Sequence, residues 1–248
     1  MENAVIPKVF INSVPKSGTN LLVQIIQGIP GIERVEESAL LDLQSGQFTT
    51  GHLHYNEELS KQLHSKSIKQ LFIYRDLRDV TVSLRHFIND KFQDHPLYKV
   101  FQNRLVTKEQ QLNALIAGTE LIGEEKNNKW GLMSYPGVYE EFKNIYEWQE
   151  DPSIYSMRYE DLMEGENKRD EVILKAIQFL GEESELKMGQ QQLLTLMTQN
   201  IHPEKSWTFR KGTCGGWREE FSKSNIETFK SIAGNLLIQL DYEKGDEW

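Results

Sequence analysis

The sequence predicts an α/β fold, a single domain over residues 1–248 with a mainly parallel central sheet flanked by helices. Three observations predict it. Lys8–Gly28 reads as an apolar strand, a tight loop and a helix, and Ser67–Phe87 repeats that order. Ser153–Leu162 supplies a further strand, with helical patterns downstream at Arg169–Leu180 and Met188–Gln199. Strands interleaved with helices favour parallel neighbours, with helices over both faces of the sheet.

In the first segment Val9, Phe10, Ile11 and Val14 give the strand, Pro15 and Gly18 punctuate the loop, and Leu21, Leu22, Ile25 and Ile26 recur at helical spacing. The loop therefore meets a helix N-terminus. There the N–H groups of Ser17 to Asn20 and the positive end of the helix dipole attract a phosphate or sulfate, and Lys16 adds a full charge. A nucleotide-triphosphate loop, G-x-x-x-x-G-K-[ST], carries its lysine after the second glycine. Here Lys16 precedes Ser17-Gly18-Thr19, and Val9 to Pro15 contains no glycine, so a kinase or NTPase is disfavoured. Taken alone, the segment is also compatible with a plain connecting loop and a solvated lysine.

The next twenty residues, Gly28–Gln47, carry Gly/Pro punctuation and acidic side chains and read as a loop over the cleft. The β-prone Phe48-Thr49-Thr50 leads to His52 and His54, then to a helix capped by Asn56. A histidine at such a strand end is a candidate general base, with His54 in reserve. Leu71 to Tyr74 form the second strand's apolar run; Arg75 ends it, Asp76 caps the following helix, and Val80, Leu84 and Phe87 mark the inner face, with Arg78 and Arg85 on a solvated face. Helices are expected at Pro96–Leu105 and Lys108–Leu121, followed by a polar segment in which Trp130, Met133 and Tyr135 line a pocket or pack as core. Val138–Glu150 reads as a helix stopped by Asp151-Pro152.

Composition narrows the function classes. With 38% hydrophobic and 26% charged residues the chain is an ordinary soluble globular protein. No run approaches 18 apolar residues, and the first residues lack the basic and apolar regions of a signal peptide, so the expectation is no membrane span and a cytoplasmic location. Cys214 is the sole cysteine, and neither an H-x-x-x-H pattern nor an acidic triad occurs, so no metal is expected. A net charge of −9 disfavours nucleic-acid and anionic-membrane partners while leaving a local basic pocket possible.

Three motifs, in order along the chain, resemble the sulfotransferases that use 3′-phosphoadenosine 5′-phosphosulfate, most closely the cytosolic small-molecule branch. Pro15-Lys16-Ser17-Gly18-Thr19 is similar to that family's 5′-phosphosulfate loop, a P-loop-like element, and Tyr74-Arg75-Asp76 through Ser83 to its 3′-phosphate strand-loop-helix. The most specific is RKGTCGGWREEFS, which follows RKG-x-x-GDWK-x-x-FT at Arg210, Lys211, Gly212, Gly215, Trp217 and Phe221. The resemblance implies a metal-free in-line transfer of a sulfonate to a hydroxyl or amine of a small-molecule acceptor, leaving adenosine 3′,5′-bisphosphate. It assigns His52 as base and Lys16, with the loop from Ser17 through Gly18 and Thr19 to Asn20, to the departing phosphate. Arg75, Ser83, Arg210, Lys211 and Gly212 fall to the 3′-phosphate, and Tyr159, in Arg158-Tyr159-Glu160-Asp161, to the nucleotide.

Departures from the family pattern are informative. Thr50 stands where the family has a lysine two residues before the histidine, His54 where it has a proline, and Leu21 where it has a tryptophan against adenine; Trp207 or Phe209 are the substitute stacking candidates. The alternatives are a carbohydrate or peptide sulfotransferase with a glutamate base, Glu36 or Glu37, a P-loop phosphotransferase, or a nucleotide-binding module without catalysis. The family's dimer segment, K-x-x-x-T-V-x-x-x-E, aligns with Arg218 to Glu227 but puts Lys223 at its apolar valine, so a monomer, or a dimer through another surface, is expected.

Overall fold

The computed structural model describes residues 6–124, 130–182 and 188–248. Its strands are β1 (Lys8–Ser13), β2 (Glu33–Arg34), β3 (Gln47–Gly51), β4 (Ile68–Tyr74), β5 (Thr119–Glu124), β6 (Trp130–Tyr135) and β7 (Tyr155–Arg158). The first helices are α1 (Thr19–Gln27), α2 (Glu57–Ser65), α3 (Leu77–Asp90), α4 (Leu97–Asn103), α5 (Lys108–Ala117) and α6 (Val138–Tyr146). They are followed by α7 (Tyr159–Met163), α8 (Glu166–Gly181), α9 (Gln190–Gln199), α10 (Trp217–Glu220) and α11 (Lys223–Gln239). The chain divides into two units, residues 1–75 with 144–212, and residues 76–143 with 213–248.

The first unit holds the expected sheet, five parallel strands in the order β2-β3-β1-β4-β7. β1 is central, and Val9, Phe10, Ile11, Asn12 and Ser13 are each fully buried. Alternation divides its side chains between two cores. Val9 and Ile11 join Leu71, Ile73 and Met157 beneath α1, α8 and α9, whereas Phe10 joins Leu63 and Ile68 with Leu40 and Leu43. Both faces of a parallel sheet are thus covered. The Gly28–Gln47 stretch, expected as a loop, contains β2 on the sheet edge and a 3-10 helix at Glu37–Asp42.

β7 is shorter than the strand expected over Ser153–Leu162, because α7 takes over at Tyr159, where Glu160 and Asp161 favour a helix N-terminus. In the second unit α5 stops at Ala117 rather than Leu121. Gly118 has φ +78, and a Cβ there would come within 2.6 Å of the Tyr135 carbonyl oxygen. The polar segment beyond it forms an antiparallel β5–β6 hairpin, whose tip at 125–129, like the Trp130 and Met133 side chains, lies outside the described residues.

Arg78 and Arg85 correct the expectation of a solvated helix face. Arg78 is 1% exposed, bonded to Asp76 and Glu243 and stacked on Trp217 and Trp248. Arg85 is half-buried and paired with Glu220. Tyr135 is buried and donates to Glu141 at 2.6 Å, the core alternative for that residue; burial pushes both groups' titration upward. Among the described residues no helix is long and apolar enough to cross a membrane.

Candidate active site

The C-terminal end of β1 carries the loop into α1, and two positive-φ residues shape it: Lys16 at 67° and Gly18 at 100°. The left-handed turn at Lys16 aims its carbonyl at Arg75, whose Nη1 donates to it at 3.3 Å. Left-handed residues flanking Ser17 curl the following amides toward a common point, and the helix dipole adds to their pull on an anion. The Ser17 N–H does not belong to that set, because it donates to the Val14 carbonyl at 3.2 Å. Amides available to an anion would therefore begin at Gly18. What Ser17 offers is a buried hydroxyl with no hydrogen-bond partner among the described residues.

Arg75, at the end of β4, lies with its guanidinium 4.5 Å from the centre of the Tyr159 ring. The other side of that interaction is the loop itself. A Cβ on Gly18 would approach Tyr159 Cδ2 to 2.6 Å, so only glycine lets the loop settle against the ring. The Tyr146 hydroxyl fixes the Arg75 carbonyl at 2.6 Å. Lys16, Gly18, Arg75 and Tyr159, assigned from three separate sequence motifs, thus form one contiguous cluster.

The segment from Asn200 to Gly212 is fastened to α1. Asn200 Nδ2 donates to the Gln24 carbonyl at 2.6 Å, and the Gln24 amide exchanges two hydrogen bonds with the His202 backbone. Asn20 Nδ2 reaches Thr208 Oγ1 at 2.8 Å, so that side chain ties the two elements together. Phe209 lies 39% exposed, and a Cβ on Gly212, at φ +65, would meet it and Met163 of α7. Trp207, Arg210 and Lys211 are exposed beside it. Ser83, the remaining expected phosphate contact, is half-buried on α3 in the second unit.

His52 follows the last residue of β3 and is exposed. Its Nδ1 lies 2.8 Å from the Ser13 carbonyl oxygen and 3.1 Å from Ser13 Oγ. A carbonyl only accepts, so in the neutral ring Nδ1 carries the hydrogen and Nε2 keeps the lone pair a base needs. The backbone beyond it is pinned: Asn12 Oδ1 accepts from Leu53 N–H at 2.9 Å, and Asn12 Nδ2 and Trp148 Nε1 donate to the Leu53 carbonyl. Asn12 and Ser13 were missed by sequence reasoning, although two polar residues ending an apolar run were the available signal.

Two further side chains stand near this strand end. Glu37 Oε1 lies over Gly51, where a Cβ would approach it to 2.9 Å. Arg34 Nη2 donates to Thr50 Oγ1 at 2.9 Å, placing a cation at the position where the motif resemblance expects lysine.

A parallel α/β fold with a left-handed loop leading into its first helix and a tautomer-fixed histidine one strand away defines the class, an α/β protein whose motifs are those of group-transfer enzymes. The chain belongs to the sulfotransferase domain family, which matches residues 34–241. It is 24% identical over 273 residues to human sulfotransferase 2A1, covering 95% of this chain and 86% of the relative. Among solved structures it is similar in fold to mouse sulfotransferase SULT7A1 complexed with PAP, at TM-score 0.62 and 17% identity, covering 95% of this chain and 85% of that one. Retinol dehydratase, solved with androsterone and inactive cofactor PAP, aligns at TM-score 0.55 and 16% identity over 93% and 80%.

Proposed function

We propose that the chain transfers a sulfonate from 3′-phosphoadenosine 5′-phosphosulfate to a hydroxyl or amine of a small-molecule acceptor. What carries the reading is the cluster of Lys16, Gly18, Arg75 and Tyr159 with a clamp segment fastened to the same helix. The residues present fit such a donor: among the described residues the buried Ser17 hydroxyl has no hydrogen-bond partner, and Gly18, closed against the Tyr159 ring, holds the left-handed turn that leads into the α1 terminus. The relatives solved with PAP support the choice of nucleotide.

The bound donor supplies a sulfur that accepts an oxygen or nitrogen nucleophile as its bond to the phosphate oxygen breaks. His52 Nε2 takes the acceptor proton as the new bond forms. Lys16 and the amides from Gly18 to Asn20 face the phosphate oxygen that keeps the electron pair, and one such preorganised donor is worth about 3 kcal/mol in a barrier. Arg75, Arg210, Lys211 and the Gly212 amide hold the 3′-phosphate, with Phe209 available to the adenine. Ser83 enters this reading on the motif resemblance alone. Arg34 supplies charge beside Thr50.

The test is turnover of labelled sulfonate donor against a panel of phenols, alcohols, sugars and amines. His52→Ala should lower the rate by about 100-fold or more while nucleotide binding persists. The position of Glu37 over Gly51 favours one rival base. An active His52→Ala enzyme beside an inactive Glu37→Gln, with Glu36→Gln as control, would transfer the role to that carboxylate.

A further inference from the structure

We infer that the Ser13 hydroxyl is a positioning group linking His52 to the first turn of α1, so that the base and an anion at that helix end share one hydrogen-bonded chain. The inference rests on the proposed roles of His52 and of the α1 terminus.

Ser13 is fully buried at the end of β1, and its hydroxyl contacts two side chains: His52 Nδ1 at 3.1 Å and Thr19 Oγ1 at 2.7 Å. The directions of these bonds follow from one fixed point. His52 Nδ1 faces the Ser13 carbonyl at 2.8 Å and must donate there, so toward the same nitrogen the Ser13 hydroxyl acts as acceptor. Its own hydrogen is then available to Thr19 Oγ1, the shortest contact of the set. Thr19, accepting from Ser13, is left with its hydroxyl hydrogen for whatever lies at the α1 terminus, where helix geometry already gathers donors. The chain therefore runs in one sense, from imidazole through serine and threonine to the anion.

Such a chain couples two events at opposite ends of the reaction. When the imidazole gains a proton at Nε2, its Nδ1–H becomes a stronger donor, Ser13 and Thr19 polarise in turn, and the threonine becomes a stronger donor to the phosphate oxygen gaining charge. Conversely, a phosphate held by Thr19 orders the Ser13 hydroxyl and hence the ring plane of an otherwise exposed histidine.

Wild type, Ser13→Ala and Ser13→Thr, labelled with ¹⁵N-histidine, would be saturated with adenosine 3′,5′-bisphosphate while binding is followed by calorimetry. In wild type the His52 nitrogens should shift on saturation. Ser13→Ala should bind with nearly unchanged affinity yet lose most of that shift, and its kcat should fall about tenfold at unchanged donor KM, the worth of one ordinary hydrogen bond. Ser13→Thr, which keeps the hydroxyl, should restore both. A full His52 response in Ser13→Ala, or a folded Ser13→Thr that behaves like the alanine variant, overturns the inference. If wild type itself does not bind the bisphosphate, the donor-site reading fails and this inference falls with it, a distinguishable result. Should Ser13→Ala not fold, Thr19→Val breaks the next link, and an undiminished His52 shift at saturation in that variant is equally fatal.

Discussion

The Arg75 guanidinium stacks 4.5 Å from the Tyr159 ring centre while its Nη1 holds the Lys16 carbonyl. A strand end, a helix start and the anion loop are thereby joined by one side chain. Arg75→Ala should weaken adenosine 3′,5′-bisphosphate binding by roughly 1.5–3 kcal/mol more than it weakens adenosine 5′-monophosphate binding, which loses only the support at the Lys16 carbonyl. Calorimetry with both nucleotides checks this, and equal losses for the two would remove Arg75 from the 3′-phosphate.

Asn12 should matter to stability as much as any apolar core residue. Its amide pairs with the Ser13 N–H, the Leu53 N–H and the Leu53 carbonyl from a fully buried position. Asn12→Ala leaves these groups unmatched and should cost about 1–3 kcal/mol in urea unfolding. Asn12→Asp keeps the acceptor for the two N–H groups but sets a buried carboxylate oxygen against the Leu53 carbonyl, so it should cost less at acid pH, where a protonated carboxyl can donate there, than at alkaline pH.

How legible all this was in the sequence differs from element to element. The strand at Val9–Ile11 and the helix at Leu21–Ile26 were readable because their apolar spacing directly reflects burial on the sheet and helix faces. The site positions Lys16, Arg75 and Tyr159 came from local motifs, and their meeting is a consequence of parallel strands ending on one edge. Ser13 was not readable, because its role depends on His52, 39 residues away, arriving within hydrogen-bond reach. Arg78 failed for the same reason: helical spacing cannot foresee Glu243 and two tryptophans closing over it. The β5–β6 hairpin was hidden because its polar composition resembles a loop, and only Gly118 marks where the helix must stop.

Removing the buried Arg78 charge should be expensive. Arg78→Ala removes the guanidinium from Asp76 at 2.6 Å and from Glu243 at 2.5 Å, for a loss of about 3–5 kcal/mol. Arg78→Met, which retains bulk against Trp217 and Trp248, should still lose the carboxylate partners. Chemical denaturation of both variants measures the division between charge and packing.

His95 should make the second unit acid-sensitive. Burial pushes its imidazole down to about 4 from 6.5, and its Nδ1 accepts the Leu97 N–H, a bond that protonation would break. Between those two values the unfolded chain binds a proton that the folded chain refuses, so stability falls as pH drops through that window. His95→Gln should flatten the fall by on the order of 2 kcal/mol, after discounting for the ring's partial exposure. Urea unfolding at pH 7 and at pH 4.5 decides it.

Lys223 is exposed at the start of α11. An isologous contact through this segment would oppose two ammonium groups, so light scattering over a concentration series should report a monomer, or a dimer insensitive to Lys223→Glu. A dimer that this substitution dissociates would place the contact at Lys223 after all.

The tethering of residues 200–208 to α1 through Asn200, His202 and Thr208 bears on how fast spent nucleotide could leave. Any excursion that lifts this stretch away must rupture bonds to Asn20 and Gln24, both within the helix whose terminus would grip the phosphate. With the nucleotide held at that terminus as proposed, residence time and grip would both be governed from one helix. Gln24, which holds Asn200 and His202, would then act as a throttle: loosening it should hasten exchange in stopped-flow chase experiments without altering Lys16, Arg75 or His52.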